Sequence, residues 1–144
     1  MGEPIAVDTG PIRERIAANV IPVITPLGRG PDGHLYNVNA DTAALAVAKA
    51  LKARKLAYLS DVSGLMRDVN DPSTLIGTLK ASDVDKLIER GVITGGMLPK
   101  VQSAVDALQA GVRKVHMIDG RMPHSLLLEI FTDKGVGTEI VNDD

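Results

Sequence analysis

The sequence holds no cysteine and no tryptophan, and only one phenylalanine and two tyrosines among 144 residues. Without cysteine there is neither a disulfide framework nor a thiolate metal site, a usage that suits an intracellular protein. So few rings leave little for stacking nucleic-acid bases. Neither sign of charge dominates: 16 Lys and Arg against 18 Asp and Glu give a net charge of -2, with no basic field to attract nucleic acid. The three histidines are too scattered to suggest a metal cluster. No apolar run approaches the ~20 residues of a membrane span, and the amino terminus lacks a basic-then-apolar signal pattern. Internal repeats, heptads and low-complexity segments are also missing. These absences leave an expected soluble, cytoplasmic α/β domain, long enough to bury one core without staples.

What is present is organised around residues 36–65. Ala40 to Leu51 is apolar almost all round, which predicts a helix buried between a sheet and its neighbours. Leu56 to Leu59 is an apolar run of strand length that ends in Ser60-Asp61, with Gly64 beyond. In open α/β sheets ligands bind outside the carboxyl ends of the strands, where Ser60 and Asp61 would lie. Asn37, Asn39 and Asp41 stand where the preceding helix begins, with its backbone N–H groups and positive dipole end. A strand end and a helix start, both polar, are what a phosphate-bearing ligand needs.

Along the rest of the chain, Ile5-Ala6-Val7 reads as a short β-like run, and Thr9-Gly10-Pro11 opens a helix to about Ala18. Ile21 to Leu27 reads as a strand with proline near each end. Gly28-Arg29-Gly30-Pro31-Asp32-Gly33 matches G-x-G-x-x-G, but Pro31-Asp32-Gly33 is turn chemistry followed by an extended stretch. It is expected to be a loop or hairpin tip rather than a dinucleotide fingerprint. Arg67 to Leu79 carries a succession of turn residues, and Ser82-Asp83-Val84-Asp85 opens a helix that Gly91 ends. A later helix stops at Gly111 and is followed by a buried strand, Val115 to Asp119. Pro123 to Ile130 predicts a short helix, and Gly135 to Val141 a last strand. Strands alternating with helices indicate a three-layer αβα arrangement with a mainly parallel sheet. His116, inside a strand, reads on burial habits more readily as a satisfied core histidine than as a ligand.

Gly95-Gly96-Met97-Leu98-Pro99-Lys100 places paired glycines before a helix whose first turn holds a lysine. A cation there opposes the helix dipole. Lys100 can be an ordinary solubilising lysine, but beside glycines that let backbone N–H groups approach an anion it points to phosphate. No Walker A sequence occurs.

Four stretches resemble N-acetylglutamate kinase, of the amino-acid kinase family: Tyr36 to Ala44, Leu59 to Leu65, Gly95 to Val101, and His116 to Arg121 continuing through Phe131-Thr132-Asp133. The match runs in order along nearly the whole chain, and it corresponds to the carboxyl-terminal, nucleotide-binding half of that fold. The resemblance implies Lys100 and Asp41 as catalytic residues, Asp41 organising the lysines. It implies Asn37, and more weakly Asn39, as contacts to acetylglutamate. Ser60, Asp61, Val62, Gly64, Leu65, Gly95, Gly96 and Met97 would surround ATP. The implied reaction moves the γ-phosphoryl group of ATP, with Mg²⁺ held mainly by the phosphates, to the side-chain carboxylate of N-acetyl-L-glutamate, in arginine biosynthesis. A carboxylate is already ionised at neutral pH, so no general base is required.

The resemblance extends to the arginine-sensitive type. His116, Glu129, Gly135 and Gly137 match positions that line an arginine effector site there; taken alone, Glu129 reads as a solvated helix residue and the glycines as turns. It also implies that an amino-terminal half is absent, so that the chain is a fragment, a split-gene product or a truncated reading frame with little activity alone. A homo-oligomer or a complementary amino-terminal half is the expected partner. The other readings are a non-catalytic module that senses arginine or binds a partner, and a kinase of the same fold acting on glutamate, aspartate, carbamate or uridylate.

Overall fold

The computed structural model describes residues 1–132 and 135–143; Asp133, Lys134 and Asp144, including the last residue of the motif that ends in Asp133, lie outside the described residues. Helix α1 (Gly10–Ala17) begins as its proline predicts. Ile5 to Val7 does not form a strand: Ile5 is 98% exposed, and the chain before it is tied to the hairpin by the Gly2 N–H, which donates to the Asn37 carbonyl at 2.8 Å. The strand expected at Ile21 to Leu27 is also displaced. Pro22 and Pro26 have no N–H to give a ladder, Ile21 and Val23 stay exposed, and pairing begins only at β1 (Leu27–Arg29).

β1 pairs antiparallel with β2 (Leu35–Asn37), Leu27 opposite Asn37 and Arg29 opposite Leu35. The glycine-rich stretch is the tip of this hairpin. Gly33 turns at φ +81°, and the Asp32 carboxylate accepts from the His34 N–H and the Tyr36 hydroxyl. The dinucleotide fingerprint would have needed a helix here.

Helix α2 (Ala40–Leu51) is followed by β3 (Lys55–Ser60). The turn-rich stretch after β3 holds a short 3₁₀ turn at Pro72–Thr74 and a strand that the sequence pattern did not announce, β4 (Thr78–Lys80). Three residues are too few to show a period; β4 exists because a later strand pairs with it. A 3₁₀ turn at Ala81–Asp83 leads into α3 (Val84–Glu89), then α4 (Met97–Gln109), β5 (Lys114–Asp119), α5 (Ser125–Phe131) and β6 (Thr138–Val141).

The four-stranded sheet has the order β3-β5-β6-β4. β3 and β5 are parallel with Ser60 opposite Asp119, β4 and β6 are parallel, and β5 and β6 are antiparallel. α5 has 7 residues and rises about 10 Å, about half the roughly 20 Å of the six-residue strand β5. The chain enters β6 near the end at which it left β5, with Thr138 opposite Met117.

On one face Leu56, Tyr58, Val115, Met117 and Ile140 pack against α2, α3 and α4. α5 covers the other face, where Glu129 meets His116. Val101, Ala104, Ala107, Val112, Val115 and Ile140 have no exposed surface at all. Each buried Val or Ile contributes about 1.5–3 kcal/mol, so the centre of the core lies under α4. The all-round burial expected of α2 is not met. Only Ala48 is buried; Ala43, Ala46 and Val47 face an open, largely apolar cleft of about 870 Å³, shared with residues 1–8 and the hairpin.

Candidate active site

Two helix starts and two parallel strand ends define the site. At the start of α2 the Asn39 side-chain carbonyl accepts from the N–H groups of Asp41 at 2.9 Å and Thr42 at 3.2 Å, the N-cap arrangement that asparagine favours. Asn39 is thereby committed to shaping the helix, while Asn37 stands exposed on β2. Capping in turn fixes Asp41 in the first turn, its carboxylate directed across to α4.

There Lys100 Nζ donates to Asp41 Oδ2 at 2.6 Å, with the two side chains 26% and 38% exposed. A half-exposed ion pair of this kind is worth little as a fold stabiliser. It does hold an ammonium in the first turn of a helix whose dipole repels it. The α4 start has no side-chain cap. Gly95 turns at φ +55°, and a Cβ on Gly95 or Gly96 would meet no atom within 4 Å, so the backbone there is open to a ligand. Met97 forms the first residue of the helix.

The strand ends carry the second group. Ser60 lies opposite Asp119, and its carbonyl accepts from the Gly120 N–H at 2.8 Å, joining the loops that leave β3 and β5. Asp61 is exposed and Val62 half-buried at this rim. Gly64 and Leu65 turn away from it. Gly64 adopts φ +131°, where a Cβ would stand 2.7 Å from Thr138 Oγ1. Leu65 is buried, its N–H donates to Thr138 Oγ1 at 2.9 Å, and its carbonyl accepts from Ile76. The backbone N–H and carbonyl of Leu65 are thus engaged inside the fold, set back from the rim.

Several residues that the motifs did not single out complete the geometry. Asp119 receives a two-pronged charge pair from Arg121, Nε to Oδ1 at 2.9 Å and Nη2 to Oδ2 at 2.8 Å, and a hydrogen bond from Ser63 at 3.2 Å. The Arg121 hydrogen bonds hold the Asp119 carboxyl well below the usual carboxylate range. Beneath Lys100 lies Tyr58, 4% exposed, whose hydroxyl is 3.1 Å from Ser103 Oγ. Burial, with Asp41 nearby, raises its phenol pKa, so Tyr58 stays neutral. A buried tyrosine in need of a hydroxyl partner was the available signal.

The four positions of the expected effector site also come together, on the far face of the sheet. His116 Nδ1 is 2.8 Å from Glu129 Oε1, and both residues are over nine-tenths buried. Glu129 Oε2 accepts from the N–H groups of Val136 at 2.7 Å and Gly137 at 3.0 Å. Glu129 is not a solvated helix residue. Burial would raise its pKa, but the hydrogen bonds from His116, Val136 and Gly137 outweigh it and hold the carboxyl below its ordinary value. His116 Nε2 is buried without a hydrogen-bond partner among the described residues.

The chain was compared with known proteins. It is 55% identical over 141 residues to the acetylglutamate kinase of Heliobacterium modesticaldum, an alignment covering 98% of this chain and 48% of that protein. It is 48% identical over 153 residues to the acetylglutamate kinase of Methanocaldococcus jannaschii, covering 99% of this chain and 51% of that one. The chain therefore spans about half the length of the curated relatives it matches. Among solved structures, the N-acetylglutamate synthase of Neisseria gonorrhoeae, complexed with coenzyme A and L-arginine, superposes with a TM-score of 0.84 at 36% identity, covering 94% of this chain and 31% of that one. The carbamate kinase of Giardia lamblia bound to AMP-PNP superposes at 0.71 and 24% identity, covering 98% and 46%, and shows the shared fold alone. The amino acid kinase family model matches residues 2–119. That stretch is most of the chain and takes in both helix starts and both strand ends, so the chain belongs to the amino acid kinase family.

Proposed function

We propose that this chain carries the ATP-binding portion of an acetylglutamate kinase, transferring the γ-phosphoryl of Mg-ATP to the side-chain carboxylate of N-acetyl-L-glutamate, a step of arginine biosynthesis in the cytoplasm. The observation that carries this reading is the Lys100–Asp41 pair, 2.6 Å apart where two helix starts converge on an open glycine loop. The names of relatives at about half identity support the substrate.

Phosphoryl transfer asks mainly for positioning and for neutralisation of charge spread over the equatorial oxygens. Lys100 supplies a cation and the backbone at Gly95 and Gly96 supplies dipoles. Asp41 aims the lysine without taking part in bond making. Ser60, Asp61 and Val62 form the rim for the nucleoside, with Gly64 shaping the turn behind it. Mg²⁺ enters on the phosphates. Asn37, exposed at the end of β2 just before α2, is the contact assigned to the acetylglutamate α-carboxylate, with Asn39 a weaker candidate.

Partner contact is assigned to the face that bears the apolar cleft, which is lined by Ile5, Ile24 and Leu27, 98%, 48% and 55% exposed. Surface of that kind favours a second polypeptide, either another copy or a segment that completes the acetylglutamate site. The test is a hydroxylamine trap for acyl phosphate with Mg-ATP and N-acetyl-L-glutamate, Lys100→Ala as control, run beside a Mg-ATP binding measurement. Phosphate transfer that survives Lys100→Ala, or failure of the folded chain to bind Mg-ATP, would overturn the assignment.

A second reading, an arginine-responsive site, rests on the buried cluster of His116, Glu129, Gly135 and Gly137, and on the L-arginine in the Neisseria gonorrhoeae synthase complex. Both Glu129 oxygens are occupied internally, so a guanidinium reaching them must displace His116 or the 135–137 segment. Calorimetric titration with L-arginine, lost in Glu129→Gln, supports this reading; no heat with the folded parent chain would refute it.

A further inference from the structure

Lysine carries its charge on a flexible four-carbon stem, so a lysine that must meet a moving phosphoryl group needs more than one contact to be aimed. Asp41 supplies one. On the other side, Lys100 Nζ lies 5.8 Å from the centroid of the Tyr58 ring, within the range at which an ammonium is attracted to an aromatic face. The ring cannot swing aside freely: Tyr58 is 4% exposed on β3, and its hydroxyl is 3.1 Å from Ser103 Oγ. Ser103 stands on α4 one turn beyond Lys100, so the same helix presents both the lysine and the group that tethers the ring beneath it.

We infer that Tyr58, held by Ser103, is a positioning residue that seats the Lys100 ammonium between an aromatic face and Asp41 and so fixes where it meets the phosphates of ATP. The inference rests on the proposed function only in taking Lys100 to face ATP. Tyr58 touches neither substrate nor reacting atoms and works through the lysine. The ring is the working part, and the hydroxyl serves to hold it in place.

The experiment measures amine labelling at Lys100 by reductive methylation and peptide mass spectrometry, with exposed Lys52 as internal reference, and Mg-ATP affinity by calorimetry. The proteins are the parent chain, Tyr58→Phe, Tyr58→Leu and Ser103→Ala, each checked for folding by circular dichroism. Expected is slow labelling of Lys100 in the parent and a rise of about fivefold or more in Tyr58→Leu, with Lys52 unchanged and Mg-ATP affinity weakened about tenfold. Tyr58→Phe keeps the ring but loses its tether to Ser103, and it should fall between the parent and Tyr58→Leu. Ser103→Ala removes the same tether from the other side and should match Tyr58→Phe, and it decides the matter if Tyr58→Leu does not fold. Unchanged Lys100 labelling in the folded Tyr58→Leu or, failing that, in Ser103→Ala would overturn the inference. If Mg-ATP does not protect Lys100 in the parent, the reading of Lys100 as a phosphate contact fails instead, whatever the variants do.

Discussion

The ammonium of Lys100 stands 2.6 Å from the carboxylate of Asp41, 59 residues away in the chain, each in the first turn of its own helix. The two helices run from the same end of the sheet, so one contact joins both helix starts.

Because the pair is partly exposed, it should matter more to ligand than to fold. Asp41→Asn and Lys100→Met are each expected to change unfolding free energy by less than about 1 kcal/mol. Mg-ATP affinity should fall tenfold or more in Lys100→Met. Urea denaturation and calorimetry on the same samples separate the effects, and a large loss of stability with intact ATP binding would make the pair structural.

Gly96→Ala probes close approach. The added methyl meets no protein atom within 4 Å, so the cost should be about that of replacing an N-cap glycine, under about 1 kcal/mol. A phosphate lying against this backbone would be pushed away, and Mg-ATP affinity should drop severalfold. Unaltered affinity would place the phosphates elsewhere.

Thr138→Val keeps shape and removes the hydroxyl that accepts from the Leu65 N–H. Thr138 is fully buried, so the N–H loses its partner without gaining water. Destabilisation of about 1–3 kcal/mol is expected. A change of under half a kilocalorie, on the order of surface substitutions, would show that the loop after β3 rearranges without cost.

Glu129 gives a pH signature. Its folded pKa is depressed below the ordinary value of 4.5, by hydrogen bonds that overcome the opposing effect of burial. The unfolded chain therefore binds its proton first as pH falls. The stability contributed is fully present above about 4.5 and is lost as pH drops through the folded value. Glu129→Gln should destabilise the protein at pH 7 and flatten the fall of stability below the ordinary value of 4.5. An unchanged slope would mean that Glu139 and the aspartates with similarly lowered pKa values carry the acid sensitivity instead.

Gly137→Ala is expected to prevent proper folding, because its Cβ would collide with the backbone carbonyl oxygen of Met117 on the neighbouring strand. Neither can move without breaking the sheet. A melting temperature close to that of the parent would contradict this.

Much of the architecture followed from local pattern. The polar helix start at Asn39 and Asp41, the apolar run of α2, the glycines before α4 and the Ser-Asp end of β3 all rest on groups within a few residues of one another, and each stands where its pattern puts it. The sequence by itself also separated the hairpin tip from a dinucleotide loop, because Pro31 and Gly33 dictate a turn whatever surrounds them. Tertiary structure alone decided the rest. β4 is a strand only because β6 offers it a partner, and β6 runs against β5, a direction that no local pattern dictates. The loose cover over α2 depends on where residues 20–27 settle once their prolines deny them a ladder. Tyr58 lies under Lys100, and Glu129 turns inward to His116, by contacts between residues distant in sequence. No single-residue preference encodes these contacts; packing, hydrogen-bond satisfaction and the geometry of strand order select them together.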